Sequence, residues 1–166
     1  RPESQGEVRI QSADPDAKPF IDANHFSAEI DRITAVSLFN WLRALGQQPA
    51  LKDWIVEEQF PGDMVKTDDD ILQNAVALGG TAFHIAGTCR MGADEQSVCD
   101  PQLRVRGIAG LRIADASVMP SIPGGNTNAP TIMIGEKGAD HILGKPMLAP
   151  SNAPFHVAPD WETRQR

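Results

Sequence analysis

The residues best suited to chemistry stand in two short stretches far apart in the chain. In AFHIAGTCRMG, residues 82–92, His84 lies in a small-residue, glycine-rich setting between Phe83 and Ile85. An imidazole can exchange a proton near neutral pH, so His84 is a candidate base. On its own, such a histidine reads more readily as a satisfied structural residue. In NTNAPTIMIGEK, residues 126–137, two asparagines, Asn126 and Asn128, precede an apolar, helix-like run. Pro130 suits the first turn of a helix, where a missing N–H costs nothing. The free N–H groups of that turn would face whatever lies before Asn128, a place for a ligand oxygen or a developing negative charge. A plain cap would account for Asn128 but leaves the run Gly124-Gly125-Asn126-Thr127 without a purpose.

Other chemistries find less support. Cys89 and Cys99 with His84 lack the paired spacing of a zinc site and a fourth ligand, so no metal is expected. No G-x-S-x-G elbow marks a serine nucleophile. Asp68, Asp69 and Asp70 follow Thr67 and read as solvated charges in the first turn of a helix, where the dipole favours anions.

The elements that must position these residues are legible in outline. GEVRIQSADP alternates Val8 and Ile10 with polar neighbours, which predicts a half-buried strand, and KPFIDANHFS predicts a second extended piece. From Ala28, the residues Ile30, Ile33, Leu38, Trp41, Leu42 and Leu45 fall on one face at about 100° per residue, with Gly46 as the stop. This helix is expected to lie against a sheet. Thr67 caps a second helix that Gly79-Gly80 ends. Leu103 and Val105, then Leu111 and Ile113, predict a hairpin or strand pair around a glycine-containing turn. A last helix, begun at Pro130, would present Ile132, Gly135, Ala139, Ile142 and Leu143 on one face. Prolines 146, 150, 154 and 159 then predict an extended tail. The fold class is α+β, a mostly antiparallel sheet with flanking helices.

The chain has 166 residues and a net charge of −7, from 15 basic against 22 acidic side chains. That balance speaks against a nucleic-acid partner, and no apolar stretch is long enough for a membrane span. With two cysteines only, a reduced, cytoplasmic compartment is expected. The opening RPESQGEVRI has no initiator Met and reads as though cut from a longer protein.

HIAGTCRMG, DPQLRVRGIAGLRIADASVMP and GGNTNAPTIMIGEKGAD, in that order, strongly resemble the C-terminal region of the glucose–methanol–choline oxidoreductases, nearest their choline and alcohol dehydrogenase-like members. The resemblance is dense from His84 to Leu143 and looser upstream. It implies an FAD enzyme that oxidises alcohols, with His84 as the base and Asn128 hydrogen-bonding the substrate oxygen. It also implies that Asp115 and Ala116 approach the ribityl and phosphate part of FAD. Thr127, Asn128, Ala129, Pro130 and Thr131 would lie beneath the flavin ring. Asn126 would hold the loop's shape. Residues 1–82 would belong to the substrate-binding domain. Residues 83–144 would form the catalytic loop and a returning segment of the FAD-binding domain, and 145–166 the tail.

The family's G-x-G-x-x-G turn for the ADP half of FAD is absent, since no G-x-G occurs in the chain. The chain alone is therefore expected to hold FAD poorly and to be inactive. Its expected partners are the N-terminal remainder of the polypeptide and a small alcohol, with self-association of the isolated piece. The alternative is a stand-alone ligand-binding or subunit module that reuses the fold without redox activity. Choline recognition uses an aromatic cage; this chain has no Tyr, and Trp41, Trp54 and Trp161 have no place assigned by sequence.

Overall fold

The computed structural model describes residues 1–159. Two short strands come first, β1 (Glu7–Arg9) and β2 (Phe20–Asp22), paired antiparallel with Val8 opposite Ile21. Gly6 is required at their junction, because a Cβ there would lie 2.0 Å from the carbonyl oxygen of Asp22. The Arg9 guanidinium stacks over the Phe20 ring. The strand predicted around Val8 exists, but it is not half-buried: all three β1 residues are exposed.

Helix α1 (Glu29–Gly46) has no side-chain cap of its own. Its first turn is tied down instead by Asp31, which accepts from the backbone N–H of Glu3 at 2.9 Å and of Ser4 at 2.7 Å, and from the Ser4 hydroxyl. Those bonds, the Ser4 hydroxyl first, hold the Asp31 carboxyl below its ordinary value. Helix α2 (Asp68–Leu78) opens on the cap expected of Thr67, whose hydroxyl accepts from Asp70 N at 3.1 Å while Asp70 accepts from Thr67 N at 2.9 Å. Thr67→Ala should therefore cost about 1 kcal/mol, read as a lower melting temperature by circular dichroism.

The expectation that α1 lies on a sheet is not met. Among the described residues it meets α2, and its predicted inner face stays open, with Ile33 53% and Trp41 59% exposed. Arg43 makes the tie between them. It grips Glu58 with two nitrogens at 2.7 and 2.8 Å and reaches the carbonyl of Val65 at 2.6 Å, just before the α2 cap.

The tight core lies further along the chain. Cys99, Leu103, Val118, Met119 and Ile134 are buried together, with Ala86, Met91, Val105, Ile113 and Ala116 packed around them. Leu103 and Val105 do pair with Leu111 and Ile113, through Val105 N to Leu111 O (3.0 Å) and Ile113 N to Leu103 O (3.1 Å). They form isolated bridges rather than long strands.

Helix α3 (Asn128–Leu143) closes on Gly144, which is left-handed at φ 65°. It starts two residues before Pro130, which still falls in the first turn. Its buried stripe is Ile134 and Gly138. The face predicted from sequence points outward instead, with Ile132 59% and Ile142 61% exposed. Residues 145–159 carry no helix or strand; the rest of the predicted tail, Trp161 included, lies outside the described residues.

A compact protein of this 17.9 kDa mass would expose about 8,000 Å², whereas this chain exposes 13546 Å². Part of that excess comes from apolar side chains on α1 and α3, Trp41, Leu42, Ile132 and Ile142 among them.

Candidate functional site

The loop that carries His84 is held by backbone bonds on one side and by its own ring on the other. Phe83 takes φ 58°, a costly conformation for a bulky residue, with its N–H on the Thr81 hydroxyl at 2.9 Å. Gly87, at φ 92°, turns the chain close under the Met119 carbonyl, where a Cβ would meet oxygen at 3.3 Å. Beyond the turn, Cys89 N donates to Ser117 O at 2.9 Å and Met91 N to Val118 O at 2.8 Å. These bonds stitch the loop along the 3-10 turn Ala116–Val118.

Asp115 caps that turn, accepting from Ser117 N at 2.8 Å. Its carboxylate is exposed, while Ala116 is half-buried against the core.

From the other end, the segment entering α3 brings Asn126 and Thr127 onto the imidazole. His84 Nε2 lies 3.0 Å from Asn126 Oδ1, and His84 Nδ1 lies 3.1 Å from the Thr127 hydroxyl. Residues 42 and 43 positions apart thus converge on one ring. The residue that meets His84 is Asn126, to which sequence assigned only the loop's shape. Asn128 is the first residue of α3 and is exposed, and its side chain has no hydrogen-bond partner among the described residues. A sequence signal for Asn126 existed, namely its place two residues ahead of the helix, at the end of the unexplained Gly124-Gly125 run.

The entrance to α3 offers a place that an anionic or carbonyl oxygen would fit. No side chain caps it. The first intrahelical acceptor pairing is Thr131 N to Thr127 O at 3.0 Å, and Pro130 has no N–H. The N–H groups of Asn128 and Ala129 are thereby left without an intrahelical acceptor, at two exposed residues. Two free donors at the positive end of a 16-residue helix suit the oxygens of a flavin. The family resemblance would set a flavin against Asp115, Ala116, Thr127, Asn128, Ala129, Pro130 and Thr131, and the two free donors belong to that set.

Neighbouring charges brace the loop instead of entering it. Arg90 grips Asp94 with two bonds at 2.7 and 2.8 Å and, through them, holds the Asp94 carboxyl down at about 2. Arg106 reaches Gly92 O at 2.8 Å, and the Ser97 hydroxyl sits 3.0 Å from the same carbonyl. A folded-state value below the unfolded 3.8 means the ion pair supports the loop fully above pH 3.8 and loses that support as pH falls through about 2. Protection of the amides at residues 92–97, corrected for the pH dependence of intrinsic exchange, should therefore fall between pH 4 and pH 2 in the parent protein, and an Asp94→Asn variant should lack that step.

Cys89 and Cys99 are both free. Cys99 is fully buried, and burial, ahead of Cys89 and nearby carboxylates, pushes its thiol up, so it serves as a small apolar core residue. A hollow of about 570 Å³ opens along the hairpin, lined by Asp100 and residues 104–112. It shares no residue with the His84 cluster.

Known proteins align with these features. A family model described as GMC oxidoreductase matches residues 2–135. The oxygen-dependent choline dehydrogenase of Photobacterium profundum is 44% identical over an alignment of 168 positions, covering 100% of this chain and 30% of the relative. The crystal structure of a formate oxidase is 37% identical and superimposes with a TM-score of 0.80, over 87% of this chain and 26% of its own. That of pyridoxine 4-oxidase from Mesorbium loti is 28% identical with a TM-score of 0.77, over 88% of this chain and 28% of its own. The chain spans about 30% of the length of the curated relatives it matches.

Proposed function

The chain belongs to the GMC oxidoreductase family of flavoproteins, and on that premise we propose that it is the C-terminal portion of an FAD-dependent enzyme oxidising a small alcohol. The observation that carries this reading is the convergence of His84, Asn126 and Thr127 at the open end of α3. His84 is the base: its Nε2 edge takes up the hydroxyl proton of the substrate. Asn126 cannot accept a proton near neutral pH, so its carboxamide hydrogen-bonds the substrate oxygen and orients it toward the imidazole. We assign it the role that sequence gave to Asn128. Asn128 and Ala129 instead offer their free N–H groups at the helix entrance to an oxygen that gains negative charge. Bound FAD supplies the acceptor for the hydride of the alcohol.

The resemblance of the whole chain to a choline dehydrogenase, at 44% identity, supports a choline-like alcohol as the substrate. The outward apolar faces of α1 and α3 are the places where the N-terminal remainder of the polypeptide would dock, and in its absence the chain would self-associate. Among the described residues no helix is long and apolar enough to cross a membrane. A cytoplasmic setting accords with the two free cysteines.

The test compares the 166-residue chain with the full-length polypeptide by flavin absorbance and by turnover of an alcohol panel with a dye acceptor. The full-length protein should hold FAD and oxidise an alcohol, whereas the chain alone should retain far less than one flavin per molecule. Stoichiometric, substrate-reducible flavin on the chain alone would refute the partition of the site. No alcohol turnover by the flavin-loaded full-length protein would refute the activity.

A further inference from the structure

We propose that Thr127 is a positioning residue whose hydroxyl lets His84 exchange its ring proton between nitrogens without moving. The proposal rests on the reading of His84 as the base.

A threonine at the entrance of a helix ordinarily spends its oxygen on the N–H of the second or third helical residue. Here the third helical residue is Pro130, which has no N–H. Thr127 itself is helical, at φ −76° and ψ −11°, not extended as such a cap would be, and its side chain makes no capping bond. The hydroxyl is thereby released, and it stands 3.1 Å from His84 Nδ1. Thr127 is 8% exposed. Its carbonyl is clamped by Thr131, through the backbone N–H at 3.0 Å and the hydroxyl at 2.7 Å. The oxygen facing the imidazole therefore has little freedom to leave.

A hydroxyl both donates and accepts, which valine or alanine cannot do. With Asn126 Oδ1 against Nε2, as in the structure, the neutral ring carries its hydrogen on Nε2 and Thr127 donates to Nδ1. To take a proton at Nε2 the ring must carry its hydrogen on Nδ1 instead, and the Thr127 oxygen then accepts it. After proton transfer both nitrogens carry hydrogen, and Thr127 accepts still. At Nδ1 only the Thr127 hydroxyl rotates. At Nε2 the Asn126 carboxamide turns its NH2 to the ring or yields to the substrate oxygen, and the proton lost at Nε2 and gained at Nδ1 is exchanged with water. Without the hydroxyl, the neutral ring is confined to the tautomer with hydrogen on Nε2, which cannot accept a proton there.

The experiment uses the full-length polypeptide, selectively labelled with 15N-histidine. Thr127→Val should shift the His84 ring nitrogens to the signature of a single tautomer, hydrogen on Nε2, and should lower kcat about tenfold or more with KM nearly unchanged. Thr127→Ser should recover the parent signature and most of the turnover. If valine disturbs folding by circular dichroism, Thr127→Ala carries the same reading. A hydroxyl-free variant with parent-like ring signals and kcat would overturn the proposal, as would a serine variant as slow as the valine one. Full turnover in His84→Ala would refute the base assignment instead, and the ring signals would still report on the Thr127 contact.

Discussion

Replacing His84 with alanine in the full-length polypeptide is expected to lower kcat/KM for the alcohol by about 10²- to 10⁴-fold, the largest loss of any substitution considered. The imidazole is the group in the cluster with a basic nitrogen, and it is held on both edges by Asn126 and Thr127. Asn126→Ala should cost less, about tenfold to a hundredfold. It removes an orienting hydrogen bond and leaves the base in place. Steady-state turnover with a dye acceptor, at matched flavin content, reads both. Flavin content matters to the comparison because Thr127, next to Asn126, opens the segment assigned to the cofactor. A parent-like rate in the histidine variant would remove the chemical basis of the proposed function.

The second large effect concerns how α3 is seated, and it takes the form of opposite outcomes at two glycines one turn apart. Gly138 is buried, and a Cβ there would lie 2.9 Å from the Ala114 side chain and 3.3 Å from Leu103 Cδ1. Both neighbours belong to the segment that forms the core and leads into the 3-10 turn. Relieving the overlap would push α3 away from the core, so Gly138→Val should destabilise by about 3 kcal/mol. Gly135 has no atom within 4 Å of the same construction. Gly135→Ala should stabilise by about 0.5–1 kcal/mol, because it removes only backbone freedom from the unfolded chain. Chemical denaturation of the two variants beside the parent gives both signs. Since α3 carries Asn126 and Thr127 at its entrance, the valine variant should also loosen their contacts with His84. Two variants that move stability in the same direction would contradict the packing.

The parts of this molecule that depend on neighbours in sequence were legible there. The capping box of α2 requires residues three apart, Thr67 and Asp70, and both appear as expected. The bounds of α1 follow from its periodicity and Gly46, and the pairing of Leu103 and Val105 with Leu111 and Ile113 follows from the glycine turn between them. The family motifs were legible for the same reason, as unbroken local strings. What failed depends on distant partners. A pattern of apolar residues says that a helix has an apolar face, not whether its partner is within reach. Thus the face of α1 is open, and α3 buries Ile134 and Gly138 rather than the stripe through Ile132 and Ile142. Which asparagine contacts His84 likewise depends on where α3 begins. Once the helix starts at Asn128, that residue is turned into its first turn, and the carboxamide two places earlier is the one that reaches His84. No count along the chain gives that, because it requires the loop after α2 to come back over residues 126–127.

The claim at the centre is that His84 and Asn126 act as one unit on the substrate hydroxyl. A double-mutant cycle on kcat/KM in the full-length protein, using His84→Ala, Asn126→Ala and the pair together, measures that directly. If they act together, the double variant should be little slower than His84→Ala alone, since an oriented alcohol gains nothing where no base receives its proton. Losses that simply multiply would contradict the unit, and so would a cycle in which Asn128→Ala, not Asn126→Ala, is the partner that couples.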